Sequence, residues 1–549
     1  MFRIFERGEQ FGMMLGALQQ PIPVRVFALE PATVLQVDTV QAMELTLKHL
    51  DLRQVWLRTY AGSLRKEFFG AAAKRAPMML GLIHETSVSR GTAERLVDRL
   101  CQVGEQLAVF SDSEQWRGSR DVRFRSLPPD GRSLEIEEIR RQVAEWQDAT
   151  RFVFDLQAHL EPDKAATLMQ LVDRVVYFVP AGESEAAVAR LRAMDVAARG
   201  WRGKLSIAWM LERGRTVAPA VPGLPELICR DYKLSDTPAQ SPWGRALSSG
   251  LERLVHDLRG VRIGVALGGG AARGMSHLGV LKALEESGIV VDTIAGTSAG
   301  AMTGILYSSG LDAAYLANQF TTDLRPSWFF RHLPRGNHLY LLYKYRRGHF
   351  DGLLRQYLHD ARLEQLSIPC LSVTVDLVGG NSVIRQCGDA VYAILESINL
   401  PVLSVPIVRD GQALIDGGLV NNIPADVLVS LGCNFVIAVS VTAKMEKQFC
   451  DIHPDVPTRG KTPSTLQTIL RSLLVQNHSL NAFGVQPADV VIAPDVTGFD
   501  LTEFMRAKDM AAIGAMATLE QIPQIRQLLA RLDPQLFPPP DDATHLQSV

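Results

Sequence analysis

Two glycine-rich turns, each preceded by a short branched-apolar run, constrain this chain more than any other feature. The first, Gly268-Gly269-Gly270-Ala271-Ala272-Arg273-Gly274, follows residues 261–267; the second, Gly296-Thr297-Ser298-Ala299-Gly300, follows residues 290–295. Apolar runs of this length bounded by glycine read as buried strands. After the first turn, Leu278, Leu281 and Leu284 recur at helical spacing over 277–287 and Gly288 offers a C-terminal stop. After the second, residues 299–307 carry Ala299, Gly300, Ala301 and Gly304, small enough for a helix to lie close on a sheet. The pattern predicts strand, loop, helix, then strand (289–295), loop, helix: a β-α-β-α unit of an α/β protein.

The turns also point to a chemistry. Gly296 and Gly300 flank Ser298 without Cβ atoms that would forbid a sharp strand-to-helix turn, so the serine hydroxyl is presented at a helix start. The first turn supplies backbone N–H groups unobstructed by side chains. Such donors, fixed where negative charge develops, are worth roughly 10²–10³ in rate each when they face an acyl-transfer intermediate. The implied reaction is attack on an ester carbonyl. The rival reading of the first turn, a dinucleotide fingerprint, wants an acidic residue closing the second strand and a G-x-G-x-x-G spacing. Here the G-x-S-x-G turn occupies the former place, and Arg273 stands where the last glycine should be.

A nucleophilic serine needs a base. Asp416-Gly417-Gly418 follows a hairpin pattern, residues 405–408 and 413–415 around Asp410-Gly411, which would put Asp416 at a strand end. The alternative is that Asp416 only opens another turn, as Asp130-Gly131, Asp351-Gly352 and Asp410-Gly411 do. A serine–acid–histidine order would leave His453, His478 or His545 as third member, and none follows a strand-end turn of the usual kind. Without histidine, Asp416 must be partly desolvated beside the hydroxyl it serves, because a carboxylate near its reference pKa of about 4 is a poor base at neutral pH.

The order GGGAARG, GTSAG, DGGLVNNIPAD resembles the patatin-like phospholipase family over about residues 261–441, and residues 267–284 and 414–425 are similar to the branch that includes neuropathy target esterase. That resemblance implies a three-layer α/β/α domain with a Ser–Asp dyad: Ser298 as nucleophile, Asp416 as base, and Gly269, Gly270, Ala271 and Arg273 as the oxyanion hole, with Arg273 also the loop's fixed basic residue. Gly268, Gly274, Gly417 and Gly418 complete the motifs. The family's G-x-G-x-x-G would fall on Gly269, Ala271 and Gly274, so alanine stands where glycine is usual. The implied substrate is a phospholipid or lysophospholipid, with no cofactor and no metal. A sensor or scaffold with a vestigial esterase site, or a thioesterase or protease using the same dyad, are the other readings.

At 549 residues and about 150 per domain, three or four domains are expected. A net charge of −2 argues against a nucleic-acid binder. The six cysteines (Cys101, Cys229, Cys370, Cys387, Cys433, Cys450) form no C-x-x-C and have no histidines at metal spacing, so they read as reduced, mostly buried thiols. No run of 18 apolar residues occurs and residues 1–20 lack a signal-like core, which suggests a cytoplasmic chain, compatible with peripheral contact on the inner membrane.

Residues 1–70 resemble the latter part of a cyclic-nucleotide-binding barrel with trailing helices, a partial β-barrel in which Met13 and Ile22 replace the glutamate and arginine that would hold ribose and cyclic phosphate. Cyclic nucleotide binding is therefore not expected. Residues 75–225 alternate strand patterns (77–83, 106–111, 151–154, 174–179, 204–210) with helical ones, a Rossmann-like α/β domain without a phosphate loop. Residues 226–260, in the wake of a proline-rich stretch, are expected as linker, 261–530 as the patatin-like domain and 531–549 as a loose tail. Between Ser298 and Asp416, residues 327–350 mix Trp328, Phe329, Phe330, Tyr340, Tyr343, Tyr345 and Phe350 with Arg331, Arg335, Lys344, Arg346 and Arg347. That composition suits the headgroup level of a bilayer or, equally, a packed core with a solvated basic face.

Overall fold

The protein is described by a computed structural model covering residues 78–539 apart from 118–121, 128–135, 147, 158–171, 198–202, 213–215, 223, 225–226, 236–248, 334–338, 341–342, 345–347, 402–403, 443–448, 450–451 and 453–462. The barrel-like region, with Met13 and Ile22, and the histidines His453 and His545 lie outside the described residues.

The first sheet has seven parallel strands: β1 (Met78–His84), β2 (Leu107–Ser111), β3 (Val122–Ser126), β4 (Arg151–Gln157), β5 (Arg174–Pro180), β6 (Leu205–Leu211) and β7 (Arg230–Ser235), in the order β3-β2-β4-β1-β5-β6-β7. Helices α1 (Gly91–Gln102), α2 (Ile136–Glu145) and α3 (Ser184–Ala197) connect them. Strands buried on both faces must be apolar along their whole length, and Phe110, Phe152, Phe154, Tyr177 and Trp209 fill the interior. Five of the strands lie where the apolar runs put them. The linker expectation is corrected: β7 falls inside it, because Tyr232 and Leu234 alternate with polar residues in a stretch free of proline, and α4 (Gly250–Leu258) follows.

Both sheets belong to one compact unit beginning at Arg75, and α4 sits between them. Glu252 on α4 takes a two-pronged bond from Arg99 of α1, at 2.6 and 2.8 Å. Arg151 of β4 bonds Glu105 and the Leu258 carbonyl; Arg259 spans Glu105 and Asp533. The tail expectation is corrected by that last pair: Leu536 is buried, and Phe537 sets its ring edge-on to His256 at 5.6 Å.

The second sheet is mixed, in the order β12-β13-β10-β9-β8-β14-β15 with β11 on β10. In chain order its elements are β8 (Ile263–Leu267), α5 (Ser276–Glu286), β9 (Thr293–Thr297), α6 (Ala299–Ser308), α7 (Ala313–Asp323), the one-turn α8 (Trp328–Arg331), α9 (His349–Leu358), β10 (Cys370–Asp376), β11 (Asn381–Arg385), α10 (Ala390–Ser397), β12 (Ile407–Arg409), β13 (Gln412–Asp416), α11 (Ala425–Ser430), β14 (Phe435–Val439), α12 (Thr465–Gly484), β15 (Val490–Ile492) and α13 (Ala507–Leu532). Strands β8, β9, β10, β14 and β15 run parallel, and β11, β12 and β13 antiparallel to their neighbours. The chain leaves β8 toward β9 on one side and returns to β14 on the other, so the glycine turn after β8 opens at a topological switch point, where α/β sheets bind their ligands.

Two elements differ in detail from expectation. The strand before the serine turn is Thr293–Thr297 rather than 289–295, since Asp292 caps the Ile263 amide at 2.7 Å and the sheet starts only beyond it. Cys370 and Cys433 are buried thiols but Cys229 and Cys387 are exposed, against the expectation of mostly buried cysteines. Among the described residues, no helix is long and apolar enough to cross a membrane.

Candidate active site

Ser298 links β9 to α6 with φ 55° and ψ −121°, a conformation non-glycine residues avoid and one that costs on the order of 1–3 kcal/mol. Packing holds it there. A Cβ on Gly300 would run into the Leu267 carbonyl, so only glycine lets α6 start this close to β8. The Ser298 amide donates to Ser397 Oγ at 2.8 Å, and Ser397 Oγ donates to the Val373 carbonyl at 2.5 Å, tying the turn to α10 and β10.

Asp416 closes β13, opposite Thr374 of β10, at the level of the serine turn. Ser298 Oγ donates to Asp416 Oδ2 at 2.6 Å, and the Gly418 amide donates to Oδ1 at 2.8 Å. The two side chains are buried, at 6% and 3% exposure. Burial pushes the Asp416 carboxyl up to about 6, with the bonds from Ser298 and Gly418 opposing part of that rise. Among the described residues no histidine bonds either partner; His478 is exposed on α12.

The glycine turn is pinned residue by residue. The Gly268 amide donates to Val439, Gly269 to the Asn422 carbonyl at 3.2 Å, Ala272 to Leu501 and Arg273 to Gly270. The expected donor role of Gly269 is therefore corrected: its amide is already engaged. Gly270 and Ala271 are the loop amides with no protein acceptor among the described residues. Ala271 has φ 49°, the left-handed region in which glycine is free and alanine strained, which accounts for the usual glycine at its position. Arg273 Nε donates to the Phe499 carbonyl at 2.8 Å, so its side chain braces the loop rather than joining the donors. Gly274 lies against Ala299, and Gly417 against the Val373 carbonyl, each too close for a Cβ.

Three residues absent from the sequence-derived set hold this geometry. Ser397 has been described. Asn422 Nδ2 donates to the Gly269 carbonyl at 3.4 Å and to Asn481 Oδ1 on α12 at 2.8 Å. His277, wholly buried, lies 2.7 Å from the Gly268 carbonyl through Nε2. Burial holds its imidazole down at about 4, so the ring is neutral and Nε2 is the donor. A hydroxyl bonded to a raised carboxylate, beside two unengaged amides at a strand-to-helix turn, is equipped for acyl transfer.

Residues 265–429 match the family described as Patatin-like phospholipase. Residues 265–429 are a patatin-like phospholipase domain. It is 33% identical over 220 residues to Lysophospholipase NTE1 of Mycosarcoma maydis, a match covering 39% of this chain and 12% of that protein. Patatin-like phospholipase domain-containing protein 6 of Homo sapiens is 34% identical over 211 residues, covering 36% and 14%. An NTE family protein of Mycobacterium tuberculosis is 28% identical over 289 residues, covering 50% and 48%. The chain thus spans less than half the length of each of these relatives.

Proposed function

We propose that this chain hydrolyses acyl esters of phospholipids or lysophospholipids, with Ser298 as nucleophile and Asp416 as base. The carrying observation is the 2.6 Å bond between the Ser298 hydroxyl and a buried carboxylate whose pKa lies near 6. The names of the relatives, lysophospholipase and phospholipase, support the substrate class.

In this reading Asp416 takes the hydroxyl proton as Ser298 Oγ bonds the acyl carbon, and the carbonyl electron pair moves onto oxygen. The Gly270 and Ala271 amides receive that oxyanion. Collapse expels the alcohol portion of the lipid, which takes the proton back from Asp416. Water then repeats the sequence on the acyl-serine, releasing the fatty acid. A base near 6 is ionised at neutral pH yet stronger than an ordinary aspartate, which suits it to both half-reactions.

The test is a panel of acyl esters together with a fluorophosphonate probe. Hydrolysis and single-site labelling at Ser298 are expected. Labelling elsewhere, or inertness toward every ester, refutes the reading.

A further inference from the structure

Between Asp323 and Asp351 the chain carries six Lys/Arg (Arg325, Arg331, Arg335, Lys344, Arg346, Arg347) and no carboxylate. Over the whole chain the two signs are nearly balanced, with 57 basic and 59 acidic residues. Within this stretch Trp328 and Phe329 are 69% and 62% exposed, and Leu339 and Tyr343 each 44%. A folded chain ordinarily hides a tryptophan and a phenylalanine, and neighbouring exposed rings mark a contact surface.

The patch is built, not frayed. The Phe330 ring sits 5.6 Å from Phe329, 5.4 Å from Tyr340 and 5.7 Å from Tyr343, joining α8 to those two tyrosines. Lys344 lies 5.3 Å over the Tyr340 ring and donates to the Asp323 carbonyl at 2.9 Å. The inner rings thereby hold the outer ones toward water.

Its position follows from the topology. Helix α7, which follows α6 in the chain, packs on the turn at Phe504–Arg506. That turn adjoins the glycine loop: Arg506 stacks over Phe499 at 4.1 Å, and Phe499 and Leu501 supply the carbonyls that receive Arg273 and Ala272. Trp328 and Phe329 come five and six residues after the end of α7. Further exposed apolar residues lie at the strands that neighbour β13, which Asp416 closes: Leu377 and Val378 beyond β10, and Val405 and Val408 before and on β12.

We infer that this face docks on a bilayer surface bearing anionic headgroups, with Trp328 and Phe329 entering the acyl boundary and the exposed Arg325 meeting phosphate. Charge complementarity selects the occupant: a stretch with cations and no carboxylates attracts an anionic leaflet, and rings at its tip fit the depth at which aromatic residues settle. The inference rests on the lipid-ester reading, since docking there would bring Ser298 to its substrate.

The experiment uses the full chain with two vesicle types, phosphatidylcholine alone and phosphatidylcholine mixed with phosphatidylglycerol. Hydrolysis of a water-soluble p-nitrophenyl ester is measured in parallel. The Trp328→Ser/Phe329→Ser double variant should bind mixed vesicles about tenfold or more weakly, with soluble-ester turnover and fluorophosphonate labelling unchanged. Arg325→Gln should weaken binding to the mixed vesicles and leave the already weaker binding to neutral ones unaltered, and added salt should act the same way. Undiminished vesicle binding by the double variant overturns the inference, as does a wild type that ignores both vesicle types while hydrolysing the soluble ester. Self-association that the double variant abolishes, without vesicle binding, also overturns it and assigns the face to a second copy. A wild type that binds vesicles through these rings yet neither hydrolyses esters nor labels sustains docking and removes the hydrolase reading instead.

Discussion

Asn422 grips Gly269 from both sides: its carbonyl accepts the Gly269 amide at 3.2 Å and its side-chain amide donates to the Gly269 carbonyl at 3.4 Å. This couples the turn holding the donors to the turn holding the acid, because Asn422 lies six residues after Asp416. Replacing it by alanine keeps the backbone bond and removes the side-chain bonds to Gly269 and Asn481. We predict that Asn422→Ala lowers kcat by roughly 10–100-fold through misplaced donors, with little change in KM. Steady-state kinetics on a soluble ester check this; an unchanged kcat would mean the loop holds its shape unaided.

Ser298→Ala is expected to abolish both fluorophosphonate labelling and hydrolysis. Asp416→Asn should lower kcat by on the order of 10³, whereas His478→Ala should leave it within roughly twofold, as its side chain is exposed on α12 and bonds neither dyad residue. A folded His478 variant as inactive as Asp416→Asn would make the dyad a triad.

The raised Asp416 carboxyl sets a pH profile. As base it must be ionised, so kcat/KM should rise with pH and level off above about 6. Stability moves the opposite way. With a folded value near 6 and an unfolded one near 4, the native state binds more protons across that interval, and this group's contribution to stability falls as pH rises through it. Asp416→Asn should therefore be more stable than wild type at pH 7 by about 2 kcal/mol, with the difference closing below pH 4. Thermal melts at the two pH values decide the sign.

Ala271, one of the two proposed donors, holds a left-handed conformation. Ala271→Gly should keep kcat and change stability by no more than about 1 kcal/mol, because relief of strain and the greater freedom of the unfolded chain oppose each other. Ala271→Val adds a branched side chain where φ is positive and should lower kcat by about tenfold or more through a distorted loop. Kinetics and melts of the two variants separate these outcomes.

What could be read in the chain was whatever the backbone demands locally. Gly296, Gly300 and Gly417 stand where a Cβ would collide, a requirement written into the residue itself. Apolar runs gave five of the seven strands of the first sheet. The missed β3 and β7 alternate polar and apolar residues, as edge strands do, and resemble loop composition. Ser397, Asn422 and His277 were hidden for another reason: each acts through a partner chosen by the fold, and Ser397 meets the Ser298 amide across 99 positions. Which loop amides stay unengaged depends on how two distant turns come to register, so Gly269 could not be told from Gly270 by sequence.

The bond from the Ser298 amide to Ser397 has a stereochemical consequence. Serine hydrolases can recruit the nucleophile's own N–H to the oxyanion; here that group donates to Ser397, which leaves the glycine-loop amides as the proposed donors. Under the proposed mechanism a planar acyl group then meets the hydroxyl with one face, and the tetrahedral carbon forms with a single handedness. Of two mirror-image phosphonates carrying the same leaving group, one should inactivate the protein far faster than the other.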